Sequence, residues 1–353
     1  MKKYFRLFIG AFLAFWIMAM GIIVIVDPFF HYHAPLKGLY YEINQERYQN
    51  IGIAKHFEYD AIITGTSLTE DFKTSEFDEL YGTCSVKLPF SGATYFETKQ
   101  LLEYAYNSDN SIRIVLRSLD VNHLVEDEKR LREDLGTYPE YLYNDSVLDD
   151  LAYTCNEDVM IADCVPIIKG FVNGKSGGHT SFDDAYYAPH TTANWVFDNN
   201  VLDKSSMNDH IFADEDRELL AANVNNNIVN LAKAHPETTF VYFIPPYSVA
   251  WWSGLVKEGK FSYTCESIKL AVDMMLECEN IKIYDFTTKT EITTDLLNYG
   301  DEYHYIPEIN SMILNWIAAD DQLITRDNYS EHIRNMQEYY SNYEYHDATI
   351  EAQ

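Results

Sequence analysis

The feature that most constrains this chain is Leu7 to Val26, 20 consecutive residues without a charge. As a helix rising 1.5 Å per residue, that run covers about 30 Å, the thickness of a bilayer's hydrocarbon. Lys2, Lys3 and Arg6 precede it and Asp27 follows it, so the positive-inside rule puts the N-terminus in the cytoplasm and residues from 27 onward outside. A cleaved signal peptide is the competing reading, but its apolar core is roughly 7–15 residues, so the longer run favours a retained anchor. No later segment resembles a second span. Of 353 residues, 47% are hydrophobic, enough for a large core, and global disorder is excluded. The length suits two domains or one α/β domain with insertions. Acidic residues outnumber basic ones 55 to 26, a net charge of -29 that repels phosphate backbones and makes nucleic acid an unsuitable partner.

Residues 27–58 read as a juxtamembrane connector, with Phe29, Phe30 and Tyr32 expected at the lipid interface. His31 and His33 have no third ligand nearby, so no metal site is expected, and no cofactor motif stands out. Five scattered cysteines do not make a disulfide scaffold. Cys265 and Cys278, placed on one helix, would be about 20 Å apart and should not bridge. Cys155 and Cys164 are open to pairing, though nothing in the sequence requires it.

From Asp60 onward, short β-branched runs alternate with helical stretches, as in a parallel sheet covered by helices. Five strands are expected: Ala61 to Thr64, Ser85 to Leu88, Ile112 to Leu116, Thr239 to Ile244 and Ile281 to Phe286. The intervening helices are expected over Glu70 to Tyr81, Tyr95 to Asn107, Asp214 to Ala234 and Tyr263 to Glu279, with a last one from Pro307 to Ala318. The third and fourth strands are separated by more than a simple crossover needs, so 123–213 reads as an insertion. Its middle, Gly170 to Asn200, contains His179, Tyr186, His190 and Trp195; it suits a lid or a segment packed on its own scaffold equally well. The loop after the fourth strand contains Pro245 and Pro246, with Trp251 and Trp252 as either a sugar platform or packing. Residues 329–353 form an acidic, tyrosine-rich tail.

Two stretches carry candidate chemistry. In Thr64-Gly65-Thr66-Ser67-Leu68-Thr69-Glu70, a serine follows a strand and opens a helix, at the sheet edge where α/β proteins bind ligands and where helical N–H groups receive an oxyanion. The same residues fit a capping box, in which Ser67 caps the helix and does nothing more. Far downstream, Gly300-Asp301-Glu302-Tyr303-His304 leads into the final helix. A tight turn there lets Asp301 hold one imidazole nitrogen of His304 while the other takes a serine proton.

Together these stretches resemble the SGNH (GDSL-like) hydrolase superfamily over roughly residues 59 to 318. Gly65-Thr66-Ser67-Leu68 is similar to the family's first block, and Asp301 with His304 to its last. The resemblance implies a flavodoxin-like three-layer α/β sandwich around a central parallel sheet of about five strands. That SGNH-like domain would span 59–328, carry the insertion and follow the transmembrane helix of residues 1–26. It also implies Ser67 as nucleophile, His304 as base and Asp301 as its orienting acid. Ser91-Gly92 matches the second block, where Gly92 is an oxyanion donor or only a turn glycine. The family's Gly-x-Asn-Asp has no clean counterpart; Asn122 in Arg117-Ser118-Leu119-Asp120-Val121-Asn122 is the nearest, as oxyanion donor or as a loop residue. The family's aspartate before the nucleophile is Thr66 here. These departures and the single anchor are more similar to the membrane-tethered branch found in teichoic acid D-alanylation and alginate O-acetylation. That branch implies a serine esterase or O-acyltransferase outside the cell membrane, acting on ester decorations of a cell-surface glycan or polymer beside a multi-pass membrane O-acyltransferase. The other reading of the same resemblance is a non-catalytic module that binds the polymer or scaffolds that enzyme.

Overall fold

The computed structural model describes residues 2–144, 146–189 and 209–344. His190 and Trp195 of the lid expectation, and the tail beyond 344, lie outside the described residues. In chain order the chain forms α1 (Lys2–Val26), β1 (Tyr40–Tyr41), α2 (Glu46–His56), β2 (Ala61–Gly65), α3 (Thr74–Tyr81), β3 (Ser85–Pro89), α4 (Tyr95–Tyr106) and β4 (Ile114–Ser118). Then come α5 (Leu151–Thr154), α6 (Val165–Val172), β5 (Gly178–His179), α7 (Asp214–Val224), α8 (Asn230–Ala234), β6 (Thr239–Ile244) and α9 (Val249–Lys257). The last elements are α10 (Phe261–Met275), β7 (Ile281–Asp285), α11 (Thr290–Thr293), α12 (Pro307–Ala318), β8 (Leu323–Ile324) and α13 (Tyr329–Asn342). Two compact units result. One comprises Met1–Glu58, Leu101–Asp109 and Glu133–Tyr186; the other comprises Tyr59–Gln100, Asn110–Arg132 and Tyr187–Gln353.

The second unit is mixed α/β. Its six-stranded sheet has the order β3-β2-β4-β6-β7-β8, parallel throughout except for β8. Strands β2 and β3 are buried at every position; that suits the near-continuous apolar run of β2, while in β3 the buried Lys87 is satisfied by donating to the carbonyls of Glu70 and Phe72. α3 packs against α12, and α10 packs against α7, α9 and α13. Besides the extra short strand β8, several details depart from the sequence expectation. The third strand starts at Ile114 rather than Ile112; Arg113 instead grips Asp60 through Nε and Nη2 at 2.9 and 2.7 Å. The helix expected from Asp214 to Ala234 is continuous but π-helical over Asn225–Val229. Trp251 and Trp252 sit on α9, a helix the prolines obscured; Ser248 caps it by accepting from Trp251 N–H at 3.2 Å. Both rings are buried, Trp251 stacked on Tyr247 at 4.2 Å and Trp252 on Tyr340 of α13 at 4.3 Å, so they pack rather than form an exposed sugar platform.

In the first unit, α1 is long and apolar enough to cross a membrane. Asp27 ends it with φ +46°, turning the chain back on itself. The fully buried carboxylate accepts from the N–H groups of His31, Tyr32 and His33 (2.9, 2.7 and 3.0 Å) and from Tyr153 hydroxyl (2.9 Å). That knot draws Phe29 and Phe30 inward, to 3% and 0% exposure, against Tyr48, Tyr153 and Tyr41. The expectation that both phenylalanines meet lipid is therefore corrected: they are core residues. His31 Nε2 lies 3.0 Å from Asp150 Oδ1. β1 pairs with β5, which fixes part of the Gly170–Asn200 stretch onto this unit. Among the described residues no disulfide forms, so Cys155 and Cys164 are not joined.

Candidate active site

Ser67 lies just past the carboxyl end of β2, where the ladder stops at Gly65. Gly65 adopts φ +140°, and a Cβ there would fall 2.5 Å from Ser118 Oγ, so the turn requires glycine. The capping expectation is corrected. Ser67–Thr69 is a single 3-10 turn whose N-cap is Thr66, and α3 begins only at Thr74. Ser67 therefore caps nothing. Its Oγ lies 2.7 Å from His304 Nε2.

His304 and Asp301 sit in the turn between a 3-10 segment (Leu296–Asn298) and α12, whose Pro307 occupies the first helical turn where no N–H is needed. Asp301 Oδ2 lies 2.6 Å from His304 Nδ1, while Oδ1 accepts from the N–H groups of Tyr303 and His304 at 2.8 Å each. Partial burial alone would raise the Asp301 pKa. The hydrogen bonds from the imidazole and the two N–H groups outweigh it and hold the carboxyl down at about 2. For His304, burial alone would favour the neutral ring, but the bond to Asp301 and its charge prevail and raise the pKa above the ordinary histidine value. An ionised carboxylate, an imidazole and a hydroxyl thus form one chain of short contacts across 237 residues of sequence.

The hydroxyl's position relative to the imidazole is fixed by a clamp that sequence reasoning missed. Tyr305 hydroxyl and Asn310 Nδ2 both donate to the carbonyl of Leu68, at 3.0 and 3.2 Å, tying the histidine turn to the serine turn. Both side chains are buried. The sequence signal was their nearness to His304, but only the fold supplies the shared acceptor.

Ser91-Gly92 follows β3 and Asn122 follows β4, the two strands flanking β2, so all three turns leave the same edge of the sheet. Gly92 has φ +66°, and its carbonyl accepts from Arg132 Nη1 at 2.7 Å. A Cβ there would meet that nitrogen at 2.1 Å. Among the described residues, no acceptor takes the N–H of Ser67 or of Gly92. Ser91 and the Asn122 side chain are exposed. A carboxylate also missed from sequence, Asp120, accepts from Thr66 Oγ1 and Tyr247 hydroxyl, both at 3.2 Å, and from Asn122 N–H at 3.3 Å. A cavity of about 500 Å³ opens beside the histidine turn. Asn122, Asp216, Trp251, Glu258, Glu302 and Tyr303 contribute to its walls. Tyr303 is the near wall, its ring 6.3 Å from that of His304 and 6.5 Å from that of Trp251. No group of three or more metal-ligating side chains occurs among the described residues.

Comparisons with protein-family models, with curated proteins and with solved structures find no match to this chain.

Proposed function

We propose that this protein is a membrane-anchored serine esterase or O-acyltransferase of SGNH type, working outside the cytoplasm on ester decorations of a surface polysaccharide or teichoic-type polymer. The observation that carries the reading is the continuous contact from Ser67 Oγ through His304 to Asp301. In the first half-reaction His304 Nε2 takes the Ser67 proton as Oγ attacks the ester carbonyl, and Asp301 stabilises the imidazolium. The N–H groups of Ser67 and Gly92 receive the oxyanion. The leaving alcohol recovers the proton from Nε2, and the acyl-serine is then attacked by water or by a sugar hydroxyl.

Fold and topology support this reading. The parallel strands run in the spatial order 2-1-3-4-5, counted along the chain from β2, which is the order of flavodoxin-like sheets. Ser67 follows the first of them, at the switch point where such folds bind ligands. Retention of α1 as an anchor is supported by its last turn: Ile23, Val26 and Asp27 are core residues of the first unit, so cleavage near the end of the run would remove part of that core. The resemblance adds a multi-pass O-acyltransferase as partner, which the anchor would keep close and so raise in effective concentration.

One observation favours the alternative, a non-catalytic module that binds polymer or scaffolds an acyltransferase. The Asp120 carboxylate contacts Thr66, next to Ser67, and its charge opposes an oxyanion nearby. The two readings separate in one assay. Hydrolysis of short-chain aryl esters by the purified full-length protein, abolished in Ser67→Ala, is expected of the enzyme. Polymer binding that survives Ser67→Ala, with no turnover by wild type, selects the module.

A further inference from the structure

The exposed part of α1 is too short for the membrane it would cross. From Leu7 to Met18 the helix is exposed along its length, about 18 Å at 1.5 Å per residue. The hydrocarbon is about 30 Å thick. The remaining stretch, Ala19 to Val26, is about 12 Å of uncharged helix against which α5 and the π-helical stretch Val159–Cys164 already pack. Even there the outward side stays apolar: Val24 and Ile25 are 37% and 63% exposed, while Ile23 and Val26 face the protein. If α1 spans, whatever packs on its last two turns shares their depth.

Residues 147–172, the stretch that contains those two elements and continues into α6, have the composition this demands. Val147, Leu148, Leu151, Ile161, Phe171 and Val172 are all at least 55% exposed. Elsewhere among the described residues outside α1, large exposed apolar side chains are scattered singly. α6, Val-Pro-Ile-Ile-Lys-Gly-Phe-Val, has one charge and yet no fully buried residue. Val165, Ile167 and Ile168 are only half-buried, and Phe171 and Val172 are exposed, more open apolar surface than a helix facing water has reason to carry. Its single charge, Lys169, has a stem long enough to reach the headgroups. Asp149, Glu157 and Asp158, exposed on the same segment, limit immersion to the boundary between headgroups and acyl chains, about 5–10 Å deep.

We infer that residues 147–172 are seated in the outer leaflet alongside the last two turns of α1, with their exposed apolar side chains against lipid acyl chains. The first unit is then held by two elements, a spanning helix and a shallow interfacial one, which fixes its height over the bilayer. Continuity with α1 selects lipid as the occupant. The inference is independent of the serine chemistry.

The test uses the full-length protein in vesicles of phosphatidylethanolamine and phosphatidylglycerol, with Cys84→Ser and Cys155→Ser removing the accessible thiols. A solvent-sensitive fluorophore is attached at Phe171→Cys, at Leu148→Cys or, to report α1 itself, at Phe12→Cys. The expected result at 171 and 148 is blue-shifted emission, quenched by lipid spin-labelled high on the acyl chain and shielded from aqueous iodide. Iodide quenching without lipid quenching at both positions, while the label at 12 is quenched by lipid, overturns the inference and leaves the anchor standing. Shielding from both quenchers overturns it in favour of a protein partner or a second copy on that face.

Discussion

Two aspartate–histidine pairs among the described residues of the second unit, Asp301–His304 and Asp285–His332, contain the same groups at similar distances, 2.6 and 3.0 Å. Their settings differ. Asp285 is almost wholly buried at the end of β7, its other oxygen taken by Thr287, and His332 comes from α13, so that pair fastens the last helix to the sheet. Asp301 is half exposed, and the second nitrogen of His304 meets a serine hydroxyl at 2.7 Å. Pairing alone therefore marks no chemistry. What separates the two is the hydroxyl on the far side of the ring, at the edge of the sheet.

Substitutions should split the pairs cleanly. Removing the proposed nucleophile or the proposed base, by Ser67→Ala or His304→Ala, is expected to lower kcat for ester turnover by about 10⁴-fold or more, with the thermal midpoint nearly unchanged. Asp301→Asn, which keeps the shape but disturbs the imidazole's protonation, should cost on the order of 10³–10⁴ in kcat with KM little changed. In the fastening pair the pattern inverts. His332→Ala should destabilise the fold by about 3 kcal/mol in a denaturant titration, because it strands a buried carboxylate, while activity per folded molecule stays at wild type. A large loss of turnover in His332→Ala, or a large loss of stability in Ser67→Ala, would erase the distinction.

The pH dependence sharpens the contrast with a smaller effect. Both histidines are raised above the ordinary value: for each, burial pulls down and the partner carboxylate pulls up further. His332 stabilises when protonated, so its contribution is full below the unfolded-state pKa of about 6.5 and is lost as pH rises through the folded-state value. His304 must be neutral to act as base, so turnover should rise with pH through its own raised pKa, giving an acid limb above about 6.5. Rising pH above the ordinary histidine value thus has opposite consequences at the two rings, freeing His304 as a base and weakening the α13 fastening. Asp301, held at about 2, stays ionised throughout; its contribution to stability is present above its unfolded-state value and fades only as pH falls toward 2.

Much of this arrangement was legible in the sequence, for reasons that also explain the rest. Strands β2 and β6 are short, mostly apolar runs because almost every position of them is shielded from water, and such runs read plainly, whereas β3 and β7 interleave apolar residues with Lys87, which is buried, and Lys282, which is exposed. Ser67, Asp301 and His304 stood out by their places between elements. α9 was hidden by the prolines before it, and β8 is two residues long. Phe29 and Phe30 have the composition of a lipid interface and of a core alike; the Asp27 turn decides between them, and a single aspartate announces no such turn. Tyr305, Asn310 and Asp120 act through partners distant in sequence, so only folding reveals them.

The central claim is that the hydroxyl beside His304 is a nucleophile, and covalent labelling tests it directly. A fluorophosphonate should attach to the purified full-length protein, map to Ser67 by peptide mass spectrometry, attach far more slowly to His304→Ala and fail to attach to Ser67→Ala. Labelling of wild type and Ser67→Ala at equal rates, or none of wild type at a pH where His304 is neutral, would contradict it.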